Sequence, residues 1–131
     1  MRDPGTLRYT RDHEWLAVEG EIGVIGITDF AQQELGDIVY VELPARGATL
    51  TSGKEMGSVE SVKAVSEIFA PVSGRVEEVN AGLATAPEMV NREPYGGGWM
   101  VKVRLADPAA AASLMDLSAY QEYLKAEAAK K

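Results

Sequence analysis

The stretch Gly57-Ser58-Val59-Glu60-Ser61-Val62-Lys63-Ala64-Val65-Ser66 decides how the rest of the chain is read. Two apolar-rich runs, residues 56–62 and 64–71, meet at one lysine with no loop between them. Runs of this kind read as strands, and joined end to end they predict a hairpin. A hairpin turned there holds Lys63 at its tip, within reach of a modifying enzyme. The Asn-Gly or Asp-Gly pair that two-residue hairpins favour is missing, so turn chemistry alone does not select this point. The ordinary alternative is an unmodified, solvated strand lysine. The surrounding sequence shifts the reading to a covalent attachment point.

Upstream, residues 14–18 and 21–27 read as strands split by a turn at Glu19-Gly20. Thr28 or Asp29 is placed to cap a short helix through Leu35, stopped at Gly36. Residues 38–43 alternate apolar and polar side chains and end at Pro44; Arg46-Gly47 and Ser52-Gly53 turn. Downstream, Pro71 closes a strand, Ser73-Gly74 turns, and residues 75–80 alternate again. Residues 91–98 are loop by composition, and 99–105 form a strand. From Asp107-Pro108 the period becomes helical, with Asp107 as cap and Pro108 at the first helical position. Leu114, Met115 and Leu117 supply an apolar face, and Ser118 is placed to cap a second helix from Ala119 toward Lys130, fraying at its end. Gly36-Asp37-Ile38-Val39-Tyr40-Val41-Glu42 echoes Gly74-Arg75-Val76-Glu77-Glu78-Val79-Asn80. A pseudo-twofold β-sandwich with Lys63 between the copies would produce that echo, and so would chance.

Composition narrows the function classes. A chain of 131 residues, 46% apolar and 25% charged, is a single globular domain by default. It buries roughly two thirds of its unfolded surface, enough to fold without disulfides or a structural metal. Cysteine is absent, so no thiolate nucleophile or zinc cluster is available, and any thiol chemistry must arrive on a bound group. The net charge of −7 argues against a nucleic-acid partner and suits partners with positive patches. No apolar run approaches the roughly 18 residues of a membrane span, and the N-terminus has no signal-peptide pattern. A cytoplasmic location is expected.

The segment Val59-Glu60-Ser61-Val62-Lys63-Ala64, followed by Ala70-Pro71-Val72-Ser73-Gly74, resembles the lipoylation site of the glycine cleavage system H protein family. Further blocks agree in order. They are Tyr9-Thr10 with His13-Glu14-Trp15, Gly26-Ile27-Thr28-Asp29-Phe30-Ala31-Gln32, the run from Leu35 to Pro44, Glu78-Val79-Asn80, Pro94-Tyr95-Gly96 and Gly98-Trp99. The resemblance covers about residues 7–123.

It implies a mainly β, barrel-sandwich hybrid fold with a short early helix and C-terminal helices. Residues 1–131 would form one lipoyl-carrier domain, with a core over about 7–106 and a helical segment over about 107–128. It implies lipoic acid in amide linkage to Lys63, and a shuttle rather than a catalyst. The partners implied are the pyridoxal-phosphate glycine decarboxylase, the aminomethyltransferase that uses tetrahydrofolate, the FAD-dependent dihydrolipoamide dehydrogenase, and the lipoylating enzymes; a monomer is expected. The family parks its loaded arm in a surface cleft. By position, Glu14 and Glu67 match the carboxylates implied there, although Asp12 stands where a small hydroxyl residue is frequent and Glu67 where Asp is common. Glu60 and Glu67, with Glu55 a little earlier, are read as an acidic rim recognised by partners; ordinary exposed strand glutamates are the alternative.

Biotin domains usually set methionines on both sides of the lysine, where this chain has Val62 and Ala64. The lipoyl domains of 2-oxoacid dehydrogenases usually carry Asp-Lys-Ala and lack the C-terminal helices. An H-like paralogue that relays lipoyl groups to other enzymes would keep Lys63 and most of the fold, and a lipoate-independent interaction module would have no need of the motif around Lys63. The lone His13 has no evident nucleophile beside it, so packing is its expected role. Gly96-Gly97-Gly98 lacks the Lys-Ser or Lys-Thr of a phosphate loop.

Overall fold

The computed structural model describes residues 2–129. Strand β1 (Arg8–Tyr9) leads into the antiparallel hairpin β2 (Glu14–Glu19) and β3 (Ile22–Ile27), turned at Gly20 with φ of 68°. That backbone is left-handed, a conformation a side chain would strain. Helix α1 (Asp29–Leu35) follows, with Thr28 Oγ1 accepting from the Ala31 N–H and Gly36 closing the end at φ of 80°. Both ends of this short helix were expected from its cap residues.

Strands β4 (Ile38–Glu42), β6 (Glu55–Ser61) and β7 (Val65–Phe69) form a three-stranded antiparallel sheet in the order β4-β6-β7. Strands β5 (Thr49–Leu50), β8 (Gly74–Val79) and β9 (Val101–Leu105) join the first three in a six-stranded sheet ordered β1-β2-β3-β9-β8-β5. The two sheets share one apolar core that includes Leu16, Ile25 and Val103 from one and Val41, Val59 and Ile68 from the other. They stay two separate ladders, a sandwich that does not close into a barrel. The echoing segments at Gly36 and Gly74 fall in opposite sheets.

Helix α3 (Leu117–Ala129) covers the back of the six-stranded sheet, where Tyr9, Trp15, Ala17, Val24 and Tyr120 make a second core. Strand β2 is therefore buried on both faces over Glu14–Ala17, which is why its alternation is weak in the sequence. Trp15 is fully buried, and its indole N–H donates to the Pro94 carbonyl at 2.9 Å.

The structure corrects three local expectations. Asn91 and Arg92, read as loop, belong to a four-residue helix α2 (Met89–Arg92), which is too short between Pro87 and Pro94 to show a period. Residues Pro108–Ser113 are 3-10 rather than α-helical, because Met115 is drawn into a bridge with Tyr9 (2.8 and 3.0 Å) that pulls the chain straight. Helix α3 is then capped by Asp116, whose Oδ1 accepts from the Ala119 N–H at 2.9 Å, rather than by Ser118. The expected end of this helix near Lys130 lies outside the described residues. Among the described residues, no helix is long and apolar enough to cross a membrane.

Candidate functional site

Strands β6 and β7 pair down to Glu60 opposite Val65, and the chain reverses through Val62 and Lys63. Neither residue has a positive φ, so the turn is not the primed type that glycine supports. The Ser61 side chain supplies what glycine would have supplied. Its Oγ accepts from the Lys63 and Ala64 N–H groups at 3.3 and 3.0 Å, and the Ser61 N–H donates to the Ala64 carbonyl at 2.7 Å. A hydroxyl that gathers local backbone donors stabilises a turn in this way. The tip is docked by one further bond, from the Val62 N–H to the Asp37 carbonyl at 3.1 Å.

Lys63 is exposed, and its amine makes no ion pair among the described residues. Its stem runs across the end of α1, where a methyl built on Gly36 would lie 3.7 Å from Lys63 Cε. The amine thus stands free at the end of an aliphatic stem. Such a group can be acylated without dismantling any contact.

The outer face of the three-stranded sheet presents two rows below this tip. Tyr40, Glu60 and Val65 lie side by side in the upper row, and Glu42, Ser58 and Glu67 in the lower. Val62 and Val65 are 71% and 66% exposed, and Val39 and Tyr40 are also exposed. Beside the lysine in the turn Val62 is bare, and the sheet face below carries exposed Tyr40 and Val65 with Glu42, Glu60 and Glu67. Glu60 and Glu67 both lie on this accessible face, and Glu42, which escaped the sequence reading, belongs to it too. The strand register that brings Glu42 beside Glu67 is not written in either segment alone.

Glu14 is placed quite differently. The residue is 1% exposed, its carboxylate accepting from Thr10 Oγ1 at 2.6 Å and from the Phe69 N–H at 3.2 Å. It covers the free edge of β7, where an unpaired N–H would otherwise be stranded. Burial pushes its pKa up to about 7, against the opposing pull of the hydrogen bonds from Thr10 and Phe69. At neutral pH this carboxyl stands near its midpoint.

Beside it, Asp12, His13, Phe30, Glu34, Leu35 and Ser66 line a cleft of about 200 Å³ between the β1–β2 turn, α1 and β7. Ser66 faces this cleft, whereas Glu67, one residue on, lies in the row on the outer face. The carboxylates that line the cleft are thus Asp12 and Glu34, while Glu14 is bonded to the β7 edge at the Phe69 N–H, two residues along the strand from Glu67. His13 sits at φ of 70° with Nδ1 2.9 Å from the Tyr120 hydroxyl and its ring 4.7 Å from that of Phe30. Burial lowers its pKa. It packs α3 against the cleft wall, in keeping with its expected role. A wider groove of about 430 Å³ lies along β5, β8 and β9, and none of the residues that line it belongs to the hairpin.

The chain is similar to known proteins along nearly its whole length. The family model of the glycine cleavage H-protein matches residues 7–127. A glycine cleavage system H protein of Chlorobium luteolum is 55% identical over 126 residues, covering 95% of this chain and 98% of the relative. One of Beijerinckia indica is 57% identical over 118 residues, covering 90% and 95%. The crystal structure of a glycine cleavage system H protein from Mycobacterium marinum superposes with a TM-score of 0.84 at 37% identity, over 96% of this chain and 99% of that one. The chain belongs to the glycine cleavage H-protein family.

Proposed function

We propose that this protein is the lipoyl-bearing shuttle of the glycine cleavage system, with lipoate joined through an amide to Lys63 Nζ. Its family consists of lipoyl carriers, not enzymes, and the system it serves is glycine cleavage. The observation that carries the assignment to this residue is the free, exposed Lys63 amine at a turn closed by Ser61. When attached, lipoate supplies a disulfide that takes up an aminomethyl group and is left as a dithiol once that carbon has been passed on. The carbon would come from glycine decarboxylase and go to tetrahydrofolate on the aminomethyltransferase, and dihydrolipoamide dehydrogenase would restore the disulfide.

The chain's own residues provide presentation and shelter. Amidation removes the Lys63 charge, and tethering turns each transfer into a local encounter at millimolar effective concentration. The exposed apolar side chains around Lys63 give successive enzymes a surface to bury, while Glu42, Glu60 and Glu67 steer partners with positive patches. The lysine stem already points across Gly36, whose helix lines the cleft with Glu34 and Leu35. An amine-bearing arm that turned into this cleft would meet Asp12 and Glu34 in its wall, with Glu14 one residue beyond the lining His13. An ammonium nearby would draw the Glu14 pKa down and carry it from its midpoint toward full ionisation when the cargo is present. Without cargo, the protein need not hold a full buried charge.

Reconstitution with glycine decarboxylase and labelled glycine tests this reading. Lipoylated protein should acquire label only with glycine and the decarboxylase, and the Glu14→Gln variant should lose it to water faster. Lipoylated protein that never accepts label would remove the glycine-cleavage assignment.

A further inference from the structure

The corner Gly36-Asp37-Ile38, where α1 runs into β4, is held from two sides. On one side it carries the hairpin tip, through the Val62 N–H to Asp37 carbonyl bond and the Lys63 stem over Gly36. On the other it is gripped by a single side chain from α2. Asn91 Oδ1 accepts from the Ile38 N–H at 2.9 Å, and Nδ2 donates to the Gly36 carbonyl and to Gln32 Oε1, each at 2.9 Å. The backbone partners fix which way round the amide stands, since the Ile38 N–H can only donate and the Gly36 carbonyl can only accept. Asp37, whose carbonyl anchors the tip, is the residue between these two bonds.

We propose that Asn91 is a positioning residue for the attachment lysine. By locking the Gly36 carbonyl and the Ile38 N–H, it fixes the corner on which the tip is docked. It thereby fixes the direction in which Lys63 leaves the surface. The proposal rests on Lys63 being the lipoyl attachment point. Asn91 touches neither Lys63 nor any group that would react, so it acts through the corner alone. A merely structural role, satisfying the carbonyl at the end of α1, would lower global stability and leave presentation of the lysine unchanged.

The test uses the full chain with Asn91→Asp, which keeps the shape and the acceptor for Ile38 but turns the donor facing Gly36 into a second acceptor. Asn91→Ser serves if the first variant does not fold. With purified lipoate ligase, lipoate and ATP, kcat/KM for lipoylation should fall about tenfold, most of it in KM, because a smaller fraction of chains would hold the tip in the binding-competent position. In parallel, hydrogen exchange of the Val62 amide should accelerate about tenfold, while the Val24 and Val103 amides of the other sheet keep their protection. A folded variant lipoylated at the parent kcat/KM would overturn the proposal. So would protection lost evenly across both sheets. If the parent chain takes no lipoate, the carrier reading fails instead, and Val62 exchange still decides whether Asn91 holds the tip.

Discussion

Lys63 and Glu14 are both residues with ionisable side chains, and the fold treats them in opposite ways. Lys63 stands on a turn held by one serine hydroxyl and one bond to Asp37, with exposed valines on either side. Glu14 is buried at the end of a strand covered on both faces, hydrogen-bonded to Thr10 and to the edge of β7. The tip can change its chemical identity without disturbing the core. The Glu14 corner cannot, because a desolvated carboxyl couples its protonation to folding. A carrier needs both, one site that other proteins rewrite and one framework that stays the same through each rewriting.

Substitutions on the two sides should separate sharply. Trp15→Ala, next to Glu14, should lower unfolding stability by about 4 kcal/mol, measured by denaturant titration. A loss under about 1 kcal/mol would mean the corner is no more rigid than the tip.

Glu14 predicts a pH dependence whose sign follows from burial. Its pKa is raised from 4.5 to about 7, so the folded state holds the proton more tightly than the unfolded chain does. Its contribution to stability is full below 4.5 and is lost as pH rises through about 7, on the order of 3 kcal/mol in total. His13, with its pKa lowered by burial, works in the opposite sense, so the informative quantity is the difference between parent and Glu14→Gln. That difference should shrink the fall in stability between pH 5 and 7.5; parallel pH profiles would contradict the burial argument.

Ser61→Ala should lower stability by about 1 kcal/mol, through loss of the hydroxyl that gathers the turn amides. Smallest of all, Glu60→Lys with Glu67→Lys should leave stability within about 0.5 kcal/mol of the parent. The same pair should slow lipoylation about fivefold at low salt, and the effect should fade as salt rises. Unchanged lipoylation would make these carboxylates ordinary strand residues.

Much of this arrangement is legible in the sequence where one residue acts on its own neighbours. Thr28 and Gly36 bound α1 through caps, and the two runs flanking Lys63 announce a hairpin without its turn signal. The ordered blocks from Tyr9 to Trp99 identify the family. What stayed hidden depends on partners distant in the chain. Ser61 closes the turn through backbone bonds that no dipeptide rule records, and Asn91 reads as loop because its role is to bridge α1 and β4. Glu14 reaches the edge of β7 only through the docking of the β1–β2 turn on that strand, which neither segment shows alone.

Peptide mass spectrometry on protein purified from a lipoate-replete host tests the central claim most directly. A single lipoyl adduct confined to Lys63 is expected, absent from a Lys63→Arg variant whose unfolding midpoint matches the parent. An unmodified Lys63, under a lipoylating enzyme shown active on a control substrate, would contradict the account.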